Sequence, residues 1–252
     1  MTTPFALIAA ATSVTGLARR NNEDSAYCGR WLYAVADGMG GHAAGEVASA
    51  AVIESLCRHD ASVGQTALLE ILGQAVAEAN GEVARKAAEE PARRGMGTTL
   101  TAMLWSGDRF ALAHIGDSRA FRLRDGELSQ ITEDHVMGKL VSNAGYMAPV
   151  LARYLDGRPD RSPDLSVREA RPGDRYMICS DGLSPVISTE AIQDVLVSIA
   201  DPGEVASHLV ALAEAAGGPD NVSVIVIDVS EAEAGPAEPV TLGAAAAGVP
   251  TG

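Results

Sequence analysis

The sequence predicts an α+β fold in which antiparallel sheets carry helices on their outer faces. Three observations predict it: segments of strand character are grouped with one another, amphipathic segments of helical period come in adjacent pairs, and neither a βαβα alternation nor an internal repeat runs along the 252 residues. One domain of this class can be that long, and an apolar fraction of 47% supports a sizeable core.

Each element has its own signal. Phe5 to Val14 is apolar and β-tolerant and stops at Gly16, which predicts a strand leading into the charged loop 18–24. Trp31 to Ala36 is a short apolar run of the buried-strand type, ended by Asp37-Gly38. From Ala43 to His59, and again from Thr66 to Glu90, small and apolar residues recur at helical spacing and predict two long consecutive helices.

The texture then turns to β. Thr98 to Trp105, Arg109 to Ile115, Arg119 to Arg124 and Glu127 to Thr132 are separated by Ser-Gly-Asp, Gly116-Asp117-Ser118 and Asp125-Gly126, and turns this close imply an antiparallel meander. Residues 133–165 lack periodicity and predict an irregular insertion with room for one helix, the most mobile element of the domain. Strands follow at Leu165 to Ala170 and Arg175 to Cys179, the second delivering Ser180-Asp181-Gly182. Helices at Glu190 to Ala200 and Glu204 to Ala216 and a strand at Asn221 to Val229 complete a domain spanning 1–229. The Ala, Gly, Pro and Glu of 230–252 predict a disordered tail.

A net charge of −14 argues against a phosphate-tracking nucleic-acid binder, which gains its affinity from Lys and Arg. Acidity has a bland reading, solubility, and a sharper one, carboxylates converging on metal ions. Cys28, Cys57 and Cys179 are odd in number and widely spaced, so reduced thiols are expected rather than a disulfide framework or a zinc site. With no leader pattern at the N-terminus and no apolar stretch of membrane length, a cytoplasmic protein without membrane contact is expected.

Asp37, Asp117, Asp181 and Asp220 share one kind of place, the edge of a predicted strand with Gly or Pro nearby. Taken singly, each is ordinary turn chemistry. Taken together, carboxylates at the strand ends of one sandwich can converge at one rim, where mutual repulsion calls for a cation. A site of oxygen ligands, with the Gly38 carbonyl unhindered by a side chain, suits Mg²⁺ or Mn²⁺ over Zn²⁺.

A rival uses the same residues, because Gly38-Met-Gly40-Gly-His-Ala43 formally matches a dinucleotide-binding loop. Asp37 would set a negative charge beside the pyrophosphate, and helix follows where that motif requires a second strand, so the rival is set aside.

Read in order, Arg19-x-x-Asn-Glu-Asp24, Ala36-Asp-Gly-Met-Gly-Gly-His-Ala-Ala-Gly-Glu46, Gly97-Thr-Thr-Leu100, Gly116-Asp-Ser-Arg119, Ser180-Asp-Gly-Leu183 and Gly218-Pro-Asp-Asn-Val222 resemble the motif series of the metal-dependent protein phosphatases, the type 2C serine/threonine class in its bacterial form. The resemblance spans about residues 5–229. It implies a four-layer α-β-β-α sandwich, two antiparallel sheets flanked by helix pairs, and an enzyme that removes phosphate from phosphoserine or phosphothreonine with two Mn²⁺ or Mg²⁺ ions. Metal-activated water would attack phosphorus directly, with no phosphoenzyme.

By the same resemblance, Asp37 bridges the two ions, the Gly38 carbonyl joins one, and Asp181 and Asp220 complete the other. Asp117 helps Asp181 hold a third, and Asp24 reaches the ions through water. Arg19 grips the substrate phosphate, as a planar guanidinium does better than Lys. His42 is the candidate general acid, while His59, His114, His135 and His208 read as structural. The implied partners are phosphorylated proteins, substrates of a bacterial Ser/Thr kinase, met by a monomer.

Two departures stand out: 133–165, the flap beside the site in this family, looks short and lacks an acidic helix between Gly145 and Leu151, and Pro185 stands where an acid is common. A catalytically weak regulatory module of the same fold is the alternative that these departures leave open.

Overall fold

A computed structural model describes residues 6–40, 44–141, 147–231 and 238–247, with the backbone alone at 139–141 and 147–149. Fourteen strands are numbered in chain order: β1 Ala6–Val14, β2 Asp24–Cys28, β3 Leu32–Met39, β4 Gly97–Thr98, β5 Leu100–Ser106, β6 Arg109–Ile115, β7 Arg119–Arg124, β8 Glu127–Gln130, β9 Val136–Val141, β10 Met147–Leu151, β11 Asp164–Glu169, β12 Arg175–Cys179, β13 Val222–Ser230 and β14 Val240–Gly243. The helices are α1 Gly45–Leu56, α2 Leu68–Glu89, α3 Thr189–Ser198, α4 Pro202–Ala215 and α5 Ala244–Ala247.

Two sheets take up most of the strands. One runs β1-β13-β12-β7-β8 and the other β11-β6-β5-β3-β2-β14, with β4 also on β3. Every described pairing is antiparallel. That disposes of the dinucleotide reading, which needs a parallel pair after β3.

Three separate cores show the layers. Alternate residues of the second sheet (Leu32, Ala34, Ala36, Leu100, Ala102, Leu104) pack under α1 and α2. Their neighbours (Tyr33, Val35, Met103, Trp105) face Tyr176, Ile178, Ile225 and Ile227 of the first sheet. The other side of that sheet (Met177, Cys179, Val224, Val226) packs under α3 and α4. Helices, sheet, sheet, helices: the four-layer sandwich follows from a period of two in strands buried on both faces. At its centre Trp105 stacks on Phe110 at 4.5 Å, and both meet the ring edge of Tyr176 at 5.4 and 5.0 Å.

Local chemistry sets the helix ends. Ser188 and Asp201 cap α3 and α4 through Ala191 N and Glu204 N, and Pro202 opens α4. Arg175 pairs with Asp228 at 2.6 Å and donates to the carbonyls of Leu196, Ile199 and Ala200, tying the end of α3 to the sheet.

Three expectations are corrected. The β6-to-β7 connection is no meander turn: β6 and β7 belong to different sheets, and Gly116-Asp117-Ser118 carries the chain between them. β2, which the sequence signals left unassigned past Asp24, is a strand through its pairing with β3 and β14. Residues 133–165 hold a hairpin, β9 with β10, and no helix among those described.

The tail is the third. Its stretch Val240–Gly243 is a strand paired with β2, followed by α5. Leu242 packs on the inter-sheet core and Ala245 is fully buried under α1, so apolar burial orders a segment whose average composition reads as disordered. Cys28 and Cys179 are buried and Cys57 half-buried, all three as free thiols.

Candidate metal centre

The strand ends of both sheets meet at one rim. Asp24 opens β2 directly across from Asp37 near the end of β3. Asp181 follows β12 and Asp220 precedes β13, its antiparallel neighbour. Asp117 sits on the strap between the sheets. The chain thus returns to this rim from five separate stretches.

Close backbone approach holds the loops there. A Cβ on Gly182 would lie 1.9 Å from the Asn221 carbonyl, so the turns bearing Asp181 and Asp220 touch only because residue 182 has no side chain. A Cβ on Gly38 would lie 2.2 Å from Gly45 O and 2.6 Å from Glu23 O. The Gly38 N–H donates to Glu23 O at 3.2 Å. Thr99 and Thr98 fix the Asp37 peptide from below: Thr99 Oγ1 accepts from Asp37 N at 3.0 Å and Thr98 Oγ1 donates to Asp37 O at 2.9 Å.

The electrostatics follow from crowding acids in a poorly hydrated place. Asp24 has no exposure; burial pushes its carboxyl up to about 7 against the hydrogen bond from Ser180 Oγ at 2.7 Å, with Asp181 and Asp220 adding repulsion. Burial raises Asp37 well above the carboxylate range, and Asp181, Asp24 and Asp220 raise it further. Asp181 rises through burial and then Asp220. Asp117 rises to about 7, again first through burial and then through Asp181 and Asp134. Asp37 and Asp181 share a hydrogen bond. Arg19 is the local counter-charge, with Nη2 2.5 Å from Asp220 Oδ2.

The donor set fits a hard divalent cation. It is all oxygen, it is held together against its own repulsion, and Asp24 Oδ1 is buried with no hydrogen-bond partner. As the side chains stand, no three acid, imidazole or thiol groups among the described residues close on a single point. Asp220 is turned to Arg19 and Asp37 to Asp181. His42 lies outside the described residues.

Some of the site escaped sequence reasoning. Glu23 is half-buried between Arg19, Glu46 and Asp220. Asn221 is a clasp: its Oδ1 accepts from Glu23 N at 2.8 Å and its Nδ2 donates to Thr15 O and Asn21 O at 2.8 and 2.9 Å, joining three stretches of chain. The only signals were their places beside Asp24 and Asp220.

His135, read as structural, braces the strap that carries Asp117. His135 Nδ1 accepts from Gly116 N at 3.1 Å and His135 N donates to Gly116 O at 2.8 Å. The opposite nitrogen of His135 faces Asp164 Oδ2 at 3.0 Å. Arg119, two residues past Asp117, forks onto Asp134 at 2.6 to 3.1 Å.

Comparison with known proteins points to one family. The family described as Protein phosphatase 2C matches residues 21–216. The chain is 47% identical to the serine/threonine protein phosphatase PstP of Mycobacterium tuberculosis, covering 93% of this chain and 47% of that protein, and so spans about half the length of that relative. It is 32% identical to the serine/threonine phosphatase stp of Listeria monocytogenes, covering 84% of this chain and 92% of that one. A crystal structure of the PstP catalytic domain in complex with two manganese ions superposes with a TM-score of 0.81 at 48% identity, covering 90% of this chain and 99% of that one.

Proposed function

The chain belongs to the protein phosphatase 2C family, and from that premise we propose that it is a metal-dependent phosphatase of phosphoserine and phosphothreonine in proteins. The observation that carries the proposal is the meeting of Asp24, Asp37, Asp117, Asp181 and Asp220 at one rim beside Arg19, each of the first four raised by burial and by its neighbours' charge.

Asp37, the Gly38 carbonyl, Asp181 and Asp220 are the proposed ligands of two Mn²⁺ or Mg²⁺ ions, with Asp117 and Asp181 proposed for a third and Asp24 proposed to act through water. Such ions, when bound, supply Lewis acidity that makes hydroxide available at neutral pH and offsets charge on a phosphoryl group. The chain's own residues do the rest. Arg19, an exposed side chain drawn to Asp220, reads as the fork that takes two phosphate oxygens and orients phosphorus for in-line attack. Asn221 and Gly182 keep the Asp181 and Asp220 turns in contact. His42 is the proposed donor of the proton that the leaving alkoxide needs.

A protein substrate suits the surface. A cavity of about 680 Å³ lined in part by Asn21, Asn22, Glu46, Lys86 and Arg93 is the proposed place for the chain flanking a phosphoresidue. The proposed partners are phosphoproteins made by a bacterial Ser/Thr kinase, met in the cytoplasm by a monomer; no described helix is long and apolar enough to cross a membrane.

The test is hydrolysis of a phosphothreonine peptide with Mn²⁺, with Mg²⁺ and with chelator, comparing the parent with Asp37→Asn and Asp181→Asn. Turnover that needs metal and is lost in both variants is the expected result. A parent that binds metal through these aspartates yet hydrolyses nothing would make the chain a regulatory module instead.

A further inference from the structure

The segment beyond β13 reaches into the metal rim from behind. β14 closes the free edge of β2 by pairing Val240 with Cys28, Thr241 with Tyr27, Leu242 with Ala26 and Gly243 with Ser25. Gly243 has φ +71, and a Cβ on it would lie 2.1 Å from the carbonyl of Asp24, so the segment turns against the very peptide that carries that acid. No side chain fits at 243.

From there a chain of hydrogen bonds runs in one direction. Ala245 N donates to Ser25 Oγ at 3.1 Å. Ser25 Oγ and Ser49 Oγ are 3.0 Å apart, and Ser49 Oγ donates to Glu23 O at 2.5 Å. Each hydroxyl has one proton, so Ser49, whose proton goes to Glu23, accepts that of Ser25, and Ser25 accepts the amide of Ala245. Glu23 O in turn accepts from Gly38 N at 3.2 Å. Ser25 and Ser49 have no exposure, so water does not compete for these bonds. The one-way run from Ala245 N to Glu23 O strengthens along its length, and Gly38 N meets it at Glu23 O as a second donor.

We propose that residues 240–245 are positioning residues for the metal centre, acting through Ser25 and Ser49 on the Glu23 and Gly38 peptides. This rests on the phosphatase reading only for what the metal does once bound. The docked segment holds β2 against α1, and through the serine pair it sets where the Glu23–Asp24 and Asp37–Gly38 peptides stand, and with them Asp24 and the start of the Gly38 residue whose carbonyl is a proposed ligand. With it displaced, β2 becomes an edge strand, Ser25 loses its donor, and the rim binds metal less tightly.

The experiment uses the full chain and measures Mn²⁺ binding by titration calorimetry, with phosphothreonine-peptide hydrolysis run in parallel. Gly243→Val displaces the segment, and Ser25→Ala cuts the relay while leaving the strand pairing in place. Each is expected to weaken Mn²⁺ binding by roughly tenfold, the scale on which groups that orient metal ligands act. A synthetic peptide of residues 238–247 added to the Gly243→Val chain should restore it. If Gly243→Val does not fold, Ser25→Ala alone decides. Mn²⁺ affinity within about twofold of the parent in the folded variants overturns the proposal and leaves the segment a passive cover. Weakened Mn²⁺ binding in a chain that hydrolyses no phosphopeptide would sink the phosphatase reading and keep the latch; intact hydrolysis with unchanged affinity does the reverse.

Discussion

Ser180 donates its hydroxyl to Asp24 at 2.7 Å across 156 residues of sequence, and in the same position accepts the backbone N–H of Ser223 at 2.9 Å. One buried hydroxyl therefore steadies an acid on one sheet and a strand of the other. The other Asp24 oxygen has no such partner.

Ser180→Ala removes both bonds and strands two buried polar groups. The expected loss is about 2 kcal/mol of stability, read as a Tm lower by roughly 4–8 °C. An unchanged melting curve in chelator would mean that Asp24 is held by something else.

Asp37→Asn should cross over with the parent. Without metal the variant relieves the repulsion that raises Asp37, so it melts higher. With Mn²⁺ at 100 times Kd the parent gains about 2.7 kcal/mol, roughly 5–10 °C, and the variant gains little. Thermal scans in chelator and in Mn²⁺ give both arms, and parallel curves would mean that Asp37 does not face the ions.

Gly182→Ala places a methyl group 1.9 Å from the Asn221 carbonyl, so one of the two turns must move by more than 1 Å. A displacement of that size at the Asp181–Asp220 contact is expected to lower kcat/KM by about 100-fold. Steady-state hydrolysis of a phosphothreonine peptide measures it.

His114 supplies the pH dependence. Burial holds its pKa down to about 4, with Nε2 donating to Glu133 O at 3.0 Å and Nδ1 2.9 Å from Thr101 Oγ1. The unfolded chain takes up this proton near 6.5 and the folded chain only near 4, so the neutral imidazole's contribution is whole above 6.5 and is lost as pH falls toward 4. The buried aspartates, raised instead, pull the other way over part of that range, so the parent must be compared with His114→Gln. Stability of the parent relative to the variant should fall by about 2 kcal/mol between pH 7.5 and pH 5. Denaturant unfolding at the two pH values checks it.

The layered α+β class, both helix pairs and most strand positions were legible because period and turn chemistry are local. Arg109–Ile115, Arg119–Arg124 and Arg175–Cys179 begin and end where alternation and Gly-bearing turns place them. The Asp-Gly and Asp-Asn edges were legible for the same reason, and so was their resemblance to a phosphatase rim.

What each strand pairs with is not local. Nothing in Gly116-Asp117-Ser118 says that β6 and β7 part into different sheets, since a tight turn and a crossing between layers use the same residue types. Asp24–Cys28 and Val240–Gly243 are too short to announce themselves. Each is a strand because the other, and β3, supplies the hydrogen bonds and the apolar cover. Asn221, Ser180 and His135 work through partners from about 20 to 200 residues away. By itself the sequence determined most of the strand, helix and turn positions and which acids stand at strand ends. Only the tertiary structure decided which of those ends meet, because burial and pairing between distant segments are settled by packing the whole chain at once.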